Sequence, residues 1–253
     1  MILDDILART RERVAGLEAA GHIPDCRASG RFSLTTAIRT SERRNAVIAE
    51  VKYASPSRGT LRGGDAPEVL AGDLIASGCV ALSVLTEPFF FGGSVENLLR
   101  VGQVSPVPLL RKDFIIDELQ IRETAALGAD AVLLIAGVLG RDLGDFVDLS
   151  LELGLEPLVE VRTRDEAELA LSTAADLIGI NNRDLSTMTT NLNTTKKLSE
   201  LVSGEGRLIV SESGVVWPCD VRALRPYCDA FLVGSALMSS AHPGKRLERL
   251  VCA

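Results

Sequence analysis

Asp117-Glu-Leu-Gln-Ile-Arg-Glu-Thr-Ala-Ala-Leu-Gly-Ala-Asp-Ala-Val-Leu-Leu-Ile135 holds one complete repeat of a longer pattern. Asp117–Leu127 has helical periodicity. Gly128 follows it, at a place where a helix C-terminus favours glycine. Ala129-Asp130 then leads into the short aliphatic run Ala131–Ile135, and Ala175-Asp176 leads into Leu177–Asn181 in the same way. Outward from this unit the runs continue in both directions: Val47–Val51, Val80–Thr86, Val107–Lys112, Pro157–Val161, Arg207–Ser211 and Asp229–Gly234. The eight runs start 20 to 33 residues apart, which leaves room for one helix and two loops. Ala66–Ser77, Arg164–Ser172 and Asn193–Val202 fill such gaps with helical period, and Gly78 and Gly154 follow helical segments. Eight alternating units predict an α/β protein, a (β/α)8 TIM barrel. A doubly wound open sheet is the competing arrangement, but the chain lacks the early G-x-G-x-x-G of its dinucleotide-binding form. Leu3, Ile6, Leu7, Val14 and Leu17 predict an amphipathic helix ahead of the first strand. That helix is expected to cap one barrel end or to act as a mobile lid. No Pro- or Ser-rich linker interrupts the chain. Residues 1–253 therefore read as a single barrel domain, with residues 1–46 as an N-terminal helical extension.

Composition limits what such a barrel does. The chain has 253 residues, close to the ~250 typical of this fold. Hydrophobic residues make up 46% and aromatics only 4%, so the core is aliphatic. The net charge of −7 argues against nucleic acid or an anionic membrane as partner. No stretch approaches eighteen apolar residues, so no membrane span is expected. The five cysteines, Cys26, Cys79, Cys219, Cys228 and Cys252, are odd in number and form no C-x-x-C pair. They fit free thiols in a reducing cytoplasm. The only histidines, His22 and His242, are far apart, and no His/Cys cluster has metal-ligand spacing. No metal site is expected.

In this fold the chemistry sits where strands end. The first run gives Glu50 and Lys52, which alternation puts on one side of the strand, followed by Ser55-Pro56-Ser57. The third ends in Arg111-Lys112-Asp113-Phe114, and the fifth contains Glu160. The sixth ends in Asn181-Asn182-Arg183-Asp184 and the seventh in Ser211-Glu212-Ser213-Gly214. Singly, each has a bland reading: a solvated lysine, a rim salt bridge, a turn. Two lysines and two or three carboxylates in one barrel mouth suit acid–base chemistry instead. Ser213-Gly214 and Gly234-Ser235 supply small residues and backbone N–H groups on the loops that often hold phosphate in this fold, with Ser55 as a third side. The expectation is an enzyme acting on a small phosphorylated metabolite.

These residues resemble the indole-3-glycerol phosphate synthase family of tryptophan biosynthesis. The resemblance rests on Ala49-Glu-Val-Lys-Tyr-Ala-Ser-Pro-Ser-Arg-Gly59, Ser83-Val-Leu-Thr-Glu87, Phe91-Gly-Gly-Ser94, Leu110-Arg-Lys-Asp-Phe-Ile115, Leu158-Val-Glu-Val161, Ile178-Gly-Ile-Asn-Asn-Arg-Asp-Leu185, Ser211-Glu-Ser-Gly214 and Phe231-Leu-Val-Gly-Ser235. It spans nearly the whole chain in order, and the N-terminal helix looks like that family's extra segment. It implies conversion of 1-(2-carboxyphenylamino)-1-deoxyribulose 5-phosphate to indole-3-glycerol phosphate, with loss of carbon dioxide and water and with no cofactor or metal. It implies Lys112 as general acid in ring closure. Lys52, Glu50 and Glu160 are candidates for the later proton transfers, with their division open. Asn181 would position a carboxylate or a substrate hydroxyl, and Glu212 and Ser213 would line the mouth. Phosphate would lie against Lys52, Ser55, Gly214, Gly234 and Ser235. The anthranilate ring would lie among Pro56, Phe91, Phe114, Leu133 and Leu185, with Arg183 near its carboxylate. The resemblance also leaves room for association with other tryptophan-pathway enzymes. Tyr53 departs from a position where the family often has a basic residue. Thr190-Asn191-Leu192 departs from a commoner Val-Asp-Leu, and the link from the first helix to Phe32 is short.

Two other readings compete. Phosphoribosylanthranilate isomerase is another phosphate-handling barrel, but it relies on a Cys at the end of the first strand, where this chain has Glu50 and Lys52. A catalytically silent scaffold would need none of Lys52, Lys112 and Glu160. Fold alone does not decide among them.

Overall fold

The computed structural model describes residues 2–21 and 31–253. His22 and Cys26, and most of the link before Phe32, lie outside the described residues. Eight strands close into a parallel barrel: β1 (Ala46–Val51), β4 (Ala81–Leu85), β5 (Leu109–Lys112), β6 (Ala131–Ile135), β7 (Glu156–Val161), β8 (Leu177–Asn181), β9 (Leu208–Glu212) and β10 (Ala230–Val233). Each expected run coincides with one of them. Strands pair in sequence order, and β1 closes the ring against β10. Between β1 and β4 a small hairpin of β2 (Ala54–Ser55) and β3 (Gly59–Thr60) folds over the mouth.

Helices α3 (Pro67–Ala76), α5 (Val95–Val104), α6 (Glu118–Ala126), α8 (Leu143–Glu152), α9 (Arg164–Leu171), α10 (Asn193–Val202), α11 (Pro218–Leu224) and α13 (Pro243–Val251) cover the barrel. Their starts follow from local chemistry. Asp117, Ser94 and Thr163 cap first-turn N–H groups with side-chain oxygens. Pro67, Pro218 and Pro243 sit at helix starts, where no N–H is missed. Gly78, Gly128 and Gly154 have φ of 90°, 75° and 75° just past helix ends, as expected of terminators. Three short helices follow strands within two residues: α4 (Pro88–Phe91), α7 (Ala136–Leu139) and α12 (Ser235–Met238).

Strand alternation sorts the barrel into two cores. Val47, Ala49 and Val51 face the helices, while Ala46 and Ile48 face inward. The inward series then continues upward into polar residues. Ala46 and Ile48 lead to Glu50, Leu110 to Lys112, Leu158 to Glu160, and Val210 to Glu212. Register sets them level, since Leu85 pairs with Lys112, Ile135 with Glu160, and Asn181 with Glu212.

The N-terminal segment packs against both ends of the barrel. The first helix, α1 (Ile2–Ala20), lies at the strand C-termini, with Ile6 in the same core as Phe114 and Leu133. A second helix, α2 (Leu34–Arg39), has no counterpart in the expected pattern. Its Leu34 and Ile38 join Ala46, Ala81, Ala131 and Ala230, the small inward residues that open four strands. Ser33 Oγ and the Thr35 N–H donate to Glu156, which starts β7, at 2.6 and 2.8 Å. At six residues the helix is too short to announce itself by periodicity.

Candidate active site

The inner polar residues meet in one buried network. Lys112 Nζ lies 2.7 Å from Glu212 Oε2 and 3.3 Å from Glu160 Oε2. Lys52 Nζ lies 2.6 Å from Glu50 Oε1. Asn181 Nδ2 donates to Glu160 Oε1 at 2.8 Å. Fully ionised, three carboxylates and two ammonium groups would leave an excess negative charge in a largely buried site. Burial, then the neighbouring Glu160 and Glu50, raises the Glu212 pKa to about 7, with Lys112 opposing. Burial alone would lower the Lys112 pKa, but Glu212, Glu160 and Glu50 outweigh it and hold Lys112 as an ammonium. Two glycines make room for this packing. A Cβ on Gly179 would collide with Glu212 Oε1, and one on Gly234 with Glu50 Oε1. Glu212 Oε1 is itself buried and without a hydrogen-bond partner.

The network forms the floor of a cavity at the strand C-termini. Lys52, Ser55 and Pro56 enter it from the hairpin after β1, with Glu50 beneath. Backbone contacts pin that loop, because the Leu61 and Arg62 N–H groups donate to Tyr53 O, and Arg62 donates to Met238 O and Ser240 O beside α12. Ser213, Gly214, Gly234 and Ser235 form the wall at the ends of β9 and β10. Phe91, Phe114, Leu133 and Leu185 form an apolar side, with the Phe91 and Phe114 ring centroids 6.1 Å apart. Arg183 sits at its edge, donating from Nη1 to Met188 O at 2.9 Å and from its backbone N–H to Asn181 Oδ1 at 2.9 Å. Burial, then repulsion from Arg58, lowers the Arg183 pKa. Every site residue expected from sequence lines this one cavity.

Several lining residues went unforeseen. Leu85, Ile135 and Leu232 occupy the same alternate inward positions as the expected residues, so a strict two-residue count would have found them. Arg58 and Met188 come from loops and carried no such signal. Tyr53, the departure from a basic residue, is not in the cavity lining, and its hydroxyl donates to Asp65 O at 2.9 Å. Arg58, five residues on, supplies a guanidinium to the mouth from the same loop.

A second charged network braces the floor from behind. Asp113, next to Lys112, is buried and takes a two-pronged contact from Arg13 of α1, at 2.7 and 3.0 Å. Thr86 Oγ1 donates to it at 2.5 Å and the Phe114 N–H at 2.8 Å, with Arg111 Nη2 at 3.3 Å. Burial alone would raise the Asp113 pKa, but these cations and the Thr86 hydroxyl outweigh it and hold it below its ordinary value.

Comparison with known proteins places the chain in a family. An indole-3-glycerol phosphate synthase from Methanopyrus kandleri is 43% identical over 252 residues, 98% of this chain and 97% of that protein. One from Bordetella pertussis is 45% identical over 215 residues, 84% of this chain and 82% of that protein. Solved structures share the barrel at low identity. A tryptophan synthase alpha chain from Legionella pneumophila superposes with a TM-score of 0.63 at 11% identity, over 86% of this chain and 95% of that one. A 3-hexulose-6-phosphate synthase from Salmonella typhimurium gives 0.66 at 13%, over 81% and 96%. These two likenesses show the fold alone. The family profile described as indole-3-glycerol phosphate synthase matches residues 3–250, and with the curated relatives it shows that this chain belongs to the indole-3-glycerol phosphate synthase family.

Proposed function

We propose that the barrel converts 1-(2-carboxyphenylamino)-1-deoxyribulose 5-phosphate to indole-3-glycerol phosphate, with Lys112 as the general acid of ring closure. The chain is thus a carboxy-lyase of tryptophan biosynthesis. The observation that carries the assignment is the Lys112 ammonium on the cavity floor, held protonated between Glu160 and Glu212. Ring closure joins the aromatic carbon that bears the carboxylate to the ketose carbonyl carbon. The carbonyl electron pair moves to oxygen, which takes a proton from Lys112. The bond to the carboxylate then breaks, its electron pair restores the aromatic ring, and carbon dioxide leaves. Dehydration delivers one proton to the new hydroxyl, which leaves as water, and removes one from the neighbouring chain atoms. Lys52, Glu50 and Glu160 serve these transfers, and Asn181 orients Glu160 through its 2.8 Å hydrogen bond.

The rest of the cavity suits the substrate's two ends. Ser55, Lys52, Gly214, Gly234 and Ser235 offer hydroxyls, an ammonium and backbone N–H groups to a phosphate dianion. Pro56, Phe91, Phe114, Leu133 and Leu185 offer an apolar slot for the anthranilate ring, with Arg183 and Arg58 toward its carboxylate. The expected setting is the cytoplasm. Among the described residues no helix is long and apolar enough to cross a membrane, and the described cysteines are free.

The test is Lys112→Met, which keeps much of the side chain's length and loses its proton. An interaction made chiefly in the transition state shows in kcat more than in KM. A positioned general acid is worth ~10²–10⁴-fold. The expected result is a folded protein with kcat lower by about that factor. A stable variant with near wild-type kcat would sink the assignment.

A further inference from the structure

Asn182 does not line the cavity, yet it ties together two segments that do. It is 1% exposed, one residue beyond the end of β8. Its Nδ2 lies 3.1 Å from Ser211 Oγ, 3.0 Å from Glu212 O and 3.1 Å from Ser213 O. Its Oδ1 accepts from the Thr195 N–H at 3.1 Å and the Thr195 hydroxyl at 3.0 Å. An amide nitrogen has two hydrogens and its oxygen two lone pairs, so this side chain's bonding capacity is filled. The Asn182 backbone adds two more links: its N–H donates to Glu212 O at 2.9 Å, and its carbonyl accepts from the Asn191 N–H at 2.8 Å. The second of these closes the base of the 182–191 loop, which carries Arg183, Leu185 and Met188 into the cavity.

The gripped carbonyls belong to a strained turn. Ser213 has φ of 62°, the left-handed region that an L-residue with a side chain rarely enters. Such a conformation persists only where surrounding contacts over-determine it. Gly214 follows at φ 90°, and a Cβ there would collide with Thr190, on the far side of the same loop, and with Leu192 just beyond it. The turn at Ser213 and Gly214 and the loop after β8 are therefore one packed unit, with Asn182 at its centre.

We infer that Asn182 is a positioning residue, which holds Ser213 in its left-handed conformation and so aims the Ser213–Gly214 backbone at the substrate phosphate. The inference rests on the phosphate reading of that wall given above. It gives Asn182 a role distinct from that of its neighbour Asn181, which faces the cavity and touches Glu160. Loss of the Asn182 donors lets the serine relax toward negative φ and turns the anion site away. The 182–191 loop loosens with it, so the ring side of the cavity is affected second.

The test is a double-mutant cycle of Asn182→Ala and Ser213→Gly, with KM, kcat and Tm measured for each protein on the carboxyphenylamino-deoxyribulose phosphate. Asn182→Ala is expected to raise KM about tenfold or more, with a smaller change in kcat. Glycine populates positive φ about as readily as negative φ. In the Ser213→Gly background the same Asn182→Ala substitution is therefore expected to cost only about threefold, a non-additivity of contacting residues. Should Asn182→Ala fail to fold, Asn182→Asp keeps the size and the acceptor for Thr195, removes the donors, and is expected to give the same KM effect. Equal KM ratios in the two backgrounds, or a lower Tm with KM unchanged, would overturn the inference. Ser235→Asp in the otherwise wild-type chain separates this from a wrong phosphate site. That variant puts an anion where the dianion sits, and a KM unchanged by it removes the phosphate reading itself.

Discussion

A carboxylate on the inner face of a closed parallel barrel has no water to lean on, so its charge is set by the neighbours packed around it. Glu212 shows the consequence, with a pKa raised from 4.5 to about 7 by burial and by Glu160 and Glu50. An acid raised in the folded state contributes stability at low pH, and that contribution is lost as pH rises through the folded value. Glu212 therefore weakens the fold progressively between about pH 4.5 and pH 7. A Glu212→Gln variant lacks this dependence. Its Tm relative to wild type is expected to improve from pH 5 to pH 8 in thermal melts. A difference that stays flat across that range would mean that Glu212 titrates as an ordinary carboxyl. The inner residues were legible because alternation along a strand has a fixed period: Glu50 and Lys52, or Leu110 and Lys112, must share a face. Asn182 was not legible as a tether, because its partners Thr195, Ser211 and Ser213 come from other segments. Asn191 Oδ1 accepts the Asn193 N–H at 3.0 Å.

The N-terminal helix is seated by apolar packing through Ile6 and by a buried ion pair. Of the two expectations for it, cap or mobile lid, the contacts favour a fixed cap. Arg13 of α1 holds Asp113 with both prongs, and Asp113 has no exposed side-chain surface. Removing one partner of a buried pair strands the other charge, at a cost of about 3 kcal/mol or more, whereas an exposed pair contributes about 0–1. Arg111 and Thr86 remain beside Asp113 and keep the loss at the lower end. Arg13→Met is therefore expected to destabilise the protein by about 3 kcal/mol, a fall of roughly 6–12 °C in Tm for a chain of this size. A shift under about 2 °C would show that α1 is only loosely seated. Periodicity announced this helix because it is long and one-sided. It could not announce α2, the two-residue strands β2 and β3, or the short helices after β4, β6 and β10. Each is too brief to hold a period and is fixed by tertiary contacts instead.

At the scale of the whole molecule the charge is −7, yet Lys52, Lys112, Arg58 and Arg183 converge on one cavity. There they face Glu50, Asp113, Glu160 and Glu212, so cations for a small anion are present only locally, while the net negative charge of the chain disfavours nucleic acid as a partner. The barrel is shared with a tryptophan synthase alpha chain and a hexulose phosphate synthase at 11% and 13% identity, so topology alone says little about chemistry. The specific information lies in which residues end the strands, and the sequence exposed most of it because the segments around Lys52, Lys112 and Asn181 are contiguous. The central claim is tested by supplying the purified chain with 1-(2-carboxyphenylamino)-1-deoxyribulose 5-phosphate and following indole fluorescence. Trp217 is the single tryptophan, so the protein background is low. The account predicts a fluorescence rise that tracks enzyme concentration, and one slower by about 10²–10⁴-fold with Lys112→Met. A folded wild-type chain that produces no indole signal from this substrate would contradict it.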